Sequence, residues 1–440
     1  MLPIQSIEAI QPVQSNPNHR RDVLLLIFCC IGILGLLIRG VYLAVIGILY
    51  FDPAYSSNLA ASMLEALAMF FCASLLMPAL LYTIRRLKGQ EILPAKLRQA
   101  KFWELAVLVF VWVLVVVNGA VLASLFTYGW VVAAPLLLLG ISLPILILIW
   151  IAAGGLPVGS RRRLWSVFGY GMVGGTVAAL TLEYLVFGIA ALIFGILAVS
   201  YPQLLDLFNQ IKTQLANSNT GDMQTLLTTL APYLTNPLVI FAILVFAAVL
   251  APLLEEAVKP AVIWFLGKRL RSPAEGFVLG ALCGAGFAMM EGLLAASSAT
   301  QIWGFGLAGR AVSSLMHIAA SGLMGWGIAS AQLDKRYGRL ALAYLLSVSI
   351  HGLWNGSAIL TVYGALRTVG QNMQVDLPGA LFVLGGIGML ILELVLMLIA
   401  LPLINRSLRP YSAPGSTLTQ SDIIASSTIS TPRNNNELDS

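Results

Sequence analysis

The chain has 440 residues, 59% of them hydrophobic and only 10% charged, and a net charge of +6. A soluble globular enzyme is excluded by several unbroken apolar runs longer than the ~18 residues a spanning helix needs, and a membrane β-barrel by the absence of apolar/polar alternation within them. Nucleic acid is excluded as a partner because the basic residues form short clusters between apolar runs and not one soluble face.

The expected fold is all-α: a polytopic transmembrane helical bundle of about ten spans in a lipid bilayer. Residues 1–22 form a polar N-terminal arm, leading into an uncleaved signal-anchor. Spans are predicted at about Val23 to Gly47, Leu59 to Ile84, Glu104 to Phe126, Val131 to Ala152 and Trp165 to Val199, so that 23–200 is a five-span membrane region. The fifth is too long for one straight crossing and is expected to tilt, to break near Gly174-Gly175 or to extend beyond the bilayer. Residues 201–237 read as an amphipathic helical hairpin on the outer surface, with Leu204, Leu205, Phe208, Ile211 and Leu215, then Met223, Leu226, Leu227, Leu230 and Leu234, at helical spacing. Five more spans, at about Leu238 to Leu266, Gly276 to Ala296, Leu307 to Ala331, Leu340 to Val362 and Ala380 to Ile404, make up 238–404, and 405–440 is a polar tail expected to be disordered. All four cysteines, Cys29, Cys30, Cys72 and Cys283, fall in apolar runs and read as small core residues.

Charge between the spans tests this count. Arg20 and Arg21 precede the first span; Arg85, Arg86 and Lys88 follow the second, Arg161 to Arg163 the fourth, Lys268, Arg269 and Arg271 the sixth, Lys335, Arg336 and Arg339 the eighth, and Arg406 and Arg409 the tenth. Every second loop is basic, which the positive-inside rule assigns to the cytoplasm, with both termini on that side.

Against this background the run Leu253-Leu254-Glu255-Glu256-Ala257-Val258-Lys259-Pro260 stands out, since each ionised group inside a bilayer costs at least a few kcal/mol. On a helix Lys259 lies one turn from both acids, which would neutralise them. The next three spans carry Glu291, His317 and His351 in turn. At a rise of ~1.5 Å per residue the two acids lie ~17 Å from the cytoplasmic end, Glu291 ~23 Å, His317 ~21 Å and His351 ~17 Å, so the five groups share one layer. Asn355 follows His351 by one turn, on its face, where it would orient the ring or donate to an oxyanion. Gly280, Gly284 and Gly286, and Gly322, Gly325 and Gly327, would let the neighbouring helices approach closely. Glu65, Glu183 and Glu393 also lie in spans but have no histidine partner in their own helix, and stand as an internal control.

Glu255-Glu256-x-x-Lys259, Phe287-x-x-x-Glu291 and the two later histidines resemble the motifs of the PrsW family of intramembrane proteases, within the wider superfamily of CAAX-type prenyl endopeptidases and bacteriocin-processing enzymes. The resemblance runs from Leu253 to about Gly356. Lys259 and Glu291 depart from the arginine and histidine of CAAX-type members, while His351-x-x-x-Asn355 agrees with the last superfamily motif. It implies a bacterial peptidase of the cytoplasmic membrane that cuts membrane-associated proteins, the family prototype acting on an anti-sigma factor.

Peptide hydrolysis needs an activated water, an oxyanion stabiliser and an acid for the leaving amine. The preferred assignment makes Glu256, supported by Glu255 and Lys259, the base, with His351 and Asn355 at the oxyanion and His317 and Glu291 positioning water or moving the proton. The same side chains also suit Zn2+ held by Glu291, His317 and His351, with Glu256 abstracting the proton. Two rivals are a proton-coupled transporter or channel and a non-catalytic membrane scaffold; no inverted repeat favours the first.

Overall fold

The computed structural model describes residues 19–50, 56–125, 129–217, 231–298, 303–370 and 376–409. The predicted N-terminal arm, the second half of the outer hairpin and nearly all of the tail lie wholly or mostly outside those residues. Among the described residues, ten helices are long and apolar enough to cross a membrane, and the all-α bundle is what the structure shows. The first four are α1 (His19–Leu49), α2 (Ser56–Leu87), α3 (Phe102–Leu125) and α4 (Gly129–Ala153). The fifth crossing comprises α5 (Arg161–Gly169), a π-helical turn at Tyr170–Gly175 and α6 (Thr176–Ser200). The π turn contains Gly174-Gly175, so the long span is interrupted there by a widened turn while the helix continues. The surface helix α7 (Pro202–Asn217) follows.

The sixth crossing departs from expectation. A single helix was anticipated from Leu238 to Leu266, but α8 (Pro237–Leu244) passes through a second π turn, Val245–Leu250, into α9 (Ala251–Val258), which stops there. The stop is Pro260, which has no N–H to continue the ladder and whose ring would clash with the carbonyl one turn back. Then come α10 (Pro273–Ser298), α11 (Trp303–Asp334), α12 (Tyr337–Gly370) and α13 (Leu377–Leu408).

The core is organised around α10, buried at almost every position from Ala274 to Met290. It is ringed by α2, α4, α5, the first π turn and α11, the last being its most extensive contact. Glycine makes that possible. A Cβ on Gly280 would fall 2.1 Å from the Ser321 carbonyl oxygen and one on Gly284 2.2 Å from that of His317, while Gly286, on another face, would meet the Phe168 carbonyl at 2.1 Å. Helix backbones this close exclude any side chain at those positions.

One face of the bundle is tied by charges from the basic loops. Asp22 is 2% exposed and accepts from Arg86 Nε at 2.9 Å and Arg162 Nη1 at 2.5 Å. Arg163 pairs with Glu275, whose other oxygen accepts from the Arg271 N–H at 2.8 Å. Beside them lies an unforeseen two-stranded antiparallel ribbon, β1 (Pro94–Lys96) with β2 (Pro157–Ser160). Gly159 turns it at a φ of +86°, and Ser160 caps α5 by accepting from the Arg163 N–H. Cys29, Cys72 and Cys283 are buried, but Cys30 faces outward because it is the next residue round the helix from a core position.

Candidate functional site

Three local features aim the polar side chains at one another. Pro260 leaves Glu255, Glu256 and Lys259 on the last turn of α9, where a lysine suits the negative end of the helix dipole. The π turn before α9 receives α12: Asn355 Nδ2 donates to the Ala247 carbonyl at 2.8 Å, and an added Cβ on Gly352 would strike the Ala248 carbonyl at 2.3 Å. That contact sets His351, next to Gly352, against α9. Gly284 seats α11 on α10 at the backbone of His317 itself.

The centre is Lys259, a fully buried ammonium. Its Nζ lies 2.7 Å from Glu255 Oε2, 2.8 Å from Glu256 Oε1 and 3.0 Å from His317 Nδ1. It also sits 4.2 Å from the centroid of the Phe287 ring, which contributes a cation–π contact. Beyond it, His317 Nε2 lies 2.6 Å from Glu291 Oε2, and Arg310 Nη2 meets the same oxygen at 2.7 Å. On the opposite side His351 Nδ1 is 2.9 Å from Glu256 Oε1, and its Nε2 is 3.9 Å from Glu255 Oε2. The two imidazoles cross edge to face, with centroids 5.3 Å apart.

Hydrogen-bond logic assigns the tautomers. An ammonium only donates, so His317 Nδ1 is the acceptor toward Lys259 and the ring carries its proton on Nε2, within ion-pair distance of Glu291. His351 likewise donates from Nδ1 to Glu256, and in the neutral tautomer Nε2 keeps its lone pair. Glu256, 0% exposed, spends Oε1 on Lys259 and His351, while its Oε2 has no hydrogen-bond partner among the described residues. The site therefore presents two uncommitted lone-pair atoms, Glu256 Oε2 and His351 Nε2.

All seven residues singled out from the sequence have a defined place. Glu255, Glu256, Lys259, His317 and His351 converge directly, Glu291 joins through His317, and Asn355 is tied to Ala247. Two participants were missed. Arg310, two turns before His317 on α11, is a charge in an apolar run and was open to detection by the rule that flagged the acids. Glu183, treated as an uninvolved control, lies on a helix packed against α9 and interacts electrostatically with Glu255. Its helix lacks a histidine, but its neighbour comes from another helix. The control description holds better for Glu65, paired with Arg39 at 2.5 Å, and for Glu393 on α13, whose buried carboxylate oxygens have no hydrogen-bond partner among the described residues.

Glu255, Glu256, His317 and His351 each offer a ligand atom, all within 4.8 Å of one another. Two imidazoles and two carboxylates are a donor set that zinc accepts. The middle of the set is taken, however, by the Lys259 ammonium, within 3.0 Å of three of the four donors. Both nitrogens of His317 are also engaged, so with Lys259 in this position the residues do not fit a resident metal.

Compared with known protein families, residues 159–390 match the family described as PrsW family intramembrane metalloprotease. No curated protein and no solved structure matches the chain.

Proposed function

The chain belongs to the PrsW family, an integral multi-pass membrane protein with a general intramembrane peptidase function, and from that premise we propose that the cluster around Lys259 is its hydrolytic centre. The substrate is a membrane-associated protein, and Glu256 is the base. The carrying observation is the asymmetry of Glu256: one oxygen held by an ammonium and an imidazole, the other buried and, among the described residues, engaged by no hydrogen-bond donor. Such a carboxylate is oriented and still has a lone pair to take a proton.

In this reading a water donates one hydrogen bond to Glu256 Oε2 and the other to His351 Nε2. Glu256 takes the proton as the water oxygen bonds to the scissile carbonyl carbon. The carbonyl oxygen gains the negative charge, and the nearby Lys259 ammonium stabilises it in a medium of low dielectric. Glu256 then returns its proton to the leaving nitrogen as the C–N bond breaks, so one water is consumed and the carboxylate is regenerated. Glu291 and Arg310 hold His317 in the tautomer that accepts from Lys259. Asn355 fixes α12 on the π turn, with one amide N–H spent on Ala247.

Lys259 supplies from within the chain the positive charge that a metal would otherwise bring. A zinc hydrolase is the second reading, favoured by the four clustered donors, and it requires the lysine to withdraw. We further assign both termini to the cytoplasmic side, on the alternation of basic loops, and the membrane to a bacterial cytoplasmic one, on the family resemblance.

The test is reconstitution into liposomes with a single-span substrate. Wild type is expected to release a cleavage product that Glu256→Gln and His351→Ala do not, all three proteins being folded, and to stay active after chelation with no stoichiometric zinc in the purified protein. Retained cleavage in Glu256→Gln would remove the assignment of the base. Stoichiometric zinc, with activity abolished by chelation and restored by the metal, would replace the ammonium reading with the zinc one.

A further inference from the structure

The helix that carries Glu255, Glu256 and Lys259 is short and interrupted at both ends. α9 has 8 residues, enters from a π turn and stops at Pro260. Beyond it the chain winds more tightly, the Ile263 N–H donating to the Pro260 carbonyl at 2.9 Å and the Trp264 N–H to the Ala261 carbonyl at 3.1 Å. So short a helix has little cooperativity of its own, and its last carbonyls lack partners within it. Two phenols hold it from outside. Tyr170, at the start of the first π turn, donates its hydroxyl to the Val258 carbonyl at 3.2 Å, and Tyr344 on α12 donates to the Leu253 carbonyl at 2.8 Å. Leu253 and Val258 stand ~7.5 Å apart along the axis and bracket the two acids. Both tyrosines rise from backbone that is itself wedged against a neighbour. The first π turn meets α10 at Gly171, where a Cβ would fall 2.1 Å from the Cys283 carbonyl oxygen, and Gly174 clears the ring of Tyr170, since a Cβ there would lie 2.8 Å from its Cδ2. α12 is seated on the second π turn through Asn355 and Gly352.

Glu256 and Lys259 ride on α9, whereas the two imidazoles ride on α11 and α12. A slide or turn of α9 would therefore stretch the His351–Glu256 contact of 2.9 Å and the Lys259–His317 contact of 3.0 Å together. A helix held at one carbonyl can swing about it, and a second attachment removes that freedom. Resting on the hydrolytic reading given above, we infer that Tyr170 and Tyr344 are positioning residues: their hydroxyls clamp α9 from the fifth and the ninth crossings and keep the base and the ammonium in register with both histidines. They act through the α9 backbone and touch none of the reacting atoms. The fifth crossing is then part of the catalytic unit, beyond the stretch that carries the recognisable motifs.

The test uses the reconstituted full-length protein with the single-span substrate, and Tyr170→Phe, Tyr344→Phe and the double variant, which keep the rings and remove only the hydroxyls. Each single variant is expected to lose about tenfold in kcat with KM unchanged, and the double variant about 100-fold, the scale of a catalytic group misplaced by about 1 Å. Hydrogen exchange of the amides of 251–259 is expected to rise about tenfold in each single variant, while exchange in α10 stays at the wild-type level. A double variant with the kcat of wild type overturns the inference, whatever the exchange shows. So does a fall in kcat with exchange in α9 unchanged, since the hydroxyls would then act by a route other than the helix, and so does faster exchange throughout α10, which would make them general packing bonds. If wild type and Glu256→Gln give the same product yield, the hydrolytic reading fails by itself; unchanged exchange in α9 then overturns the clamp and a rise confined to α9 sustains it.

Discussion

Asp22 and Glu256 are both buried carboxylates, 2% and 0% exposed, and they do opposite things with their oxygens. In the clasp at the span ends, Asp22 gives one oxygen to Arg86 and the other to Arg162, so both are engaged. In the intramembrane cluster, one ammonium serves Glu255, Glu256 and His317 together, while Glu256 Oε2 stays unengaged. Burying an acid in a bundle is thus compatible with either a fastener or a reactive group. The difference lies in whether both oxygens are engaged, and two arginines, one on each oxygen, engage a carboxylate more evenly than a lysine shared among three acceptors.

The sharpest way to break the comparison is to exchange the acid for its amide in both regions. Glu256→Gln removes the proton acceptor and is expected to lower kcat by about 10²- to 10⁴-fold in the liposome assay, the usual worth of a general base. Cleavage at the wild-type rate would make Glu256 a second fastener. Lys259→Met comes next. It leaves two carboxylates facing each other without a counter-charge, and breaking a buried pair this way costs about 3–5 kcal/mol. Thermal unfolding in detergent should show that loss together with loss of cleavage; a variant as stable as wild type would mean that the acids do not depend on the ammonium.

Asp22→Asn completes the set. Its arginines keep some exposure, with side chains 26% and 17% accessible, so the cost falls below that of the fully buried pair, at about 2–3 kcal/mol. Unfolding should move, while kcat per folded molecule stays at the wild-type value. A fall in kcat with unchanged stability would show that the clasp feeds into the site.

The ten crossings were legible in the sequence because continuous apolar runs and alternating basic loops are written in composition. The site layer was legible for a related reason: charge is so rare in these runs that Glu255, Glu256, Lys259, Glu291, His317 and His351 announce themselves, and helical rise converts their positions into a common depth. What stayed hidden depends on packing between segments. The second π turn follows no local pattern, whereas the first contains the Gly174-Gly175 pair; both are registered against other helices, at Cys283 and Gly352, where the Gly171 and Gly352 contacts leave no space for a side chain. Glu183 shows the limit most clearly, since its own helix contains no other ionisable group of the cluster and its neighbour Glu255 comes from α9. The β1–β2 ribbon is held by pairing between distant loops and was equally invisible.

The smallest expected effect concerns geometry alone, with every charge of the cluster left in place. Gly284→Ala would put a methyl group 2.2 Å from the His317 carbonyl oxygen, which belongs to backbone and cannot rotate away. The two helices must part by a fraction of their contact distance, at a cost of about 1–3 kcal/mol in stability. Because the displaced atom belongs to His317, the Nδ1 contact to Lys259 should stretch with it, and kcat should fall by about tenfold, a sub-ångström share of the 10²-fold loss from a 1 Å misplacement. Gly385→Ala on α13 meets nothing within 4 Å and is the matched control, expected to stay within about 0.5 kcal/mol of wild type. Should both variants cleave equally well, the close α10–α11 approach would be a packing feature of the same kind as the clasp, and the exact placement of His317 would not limit the reaction.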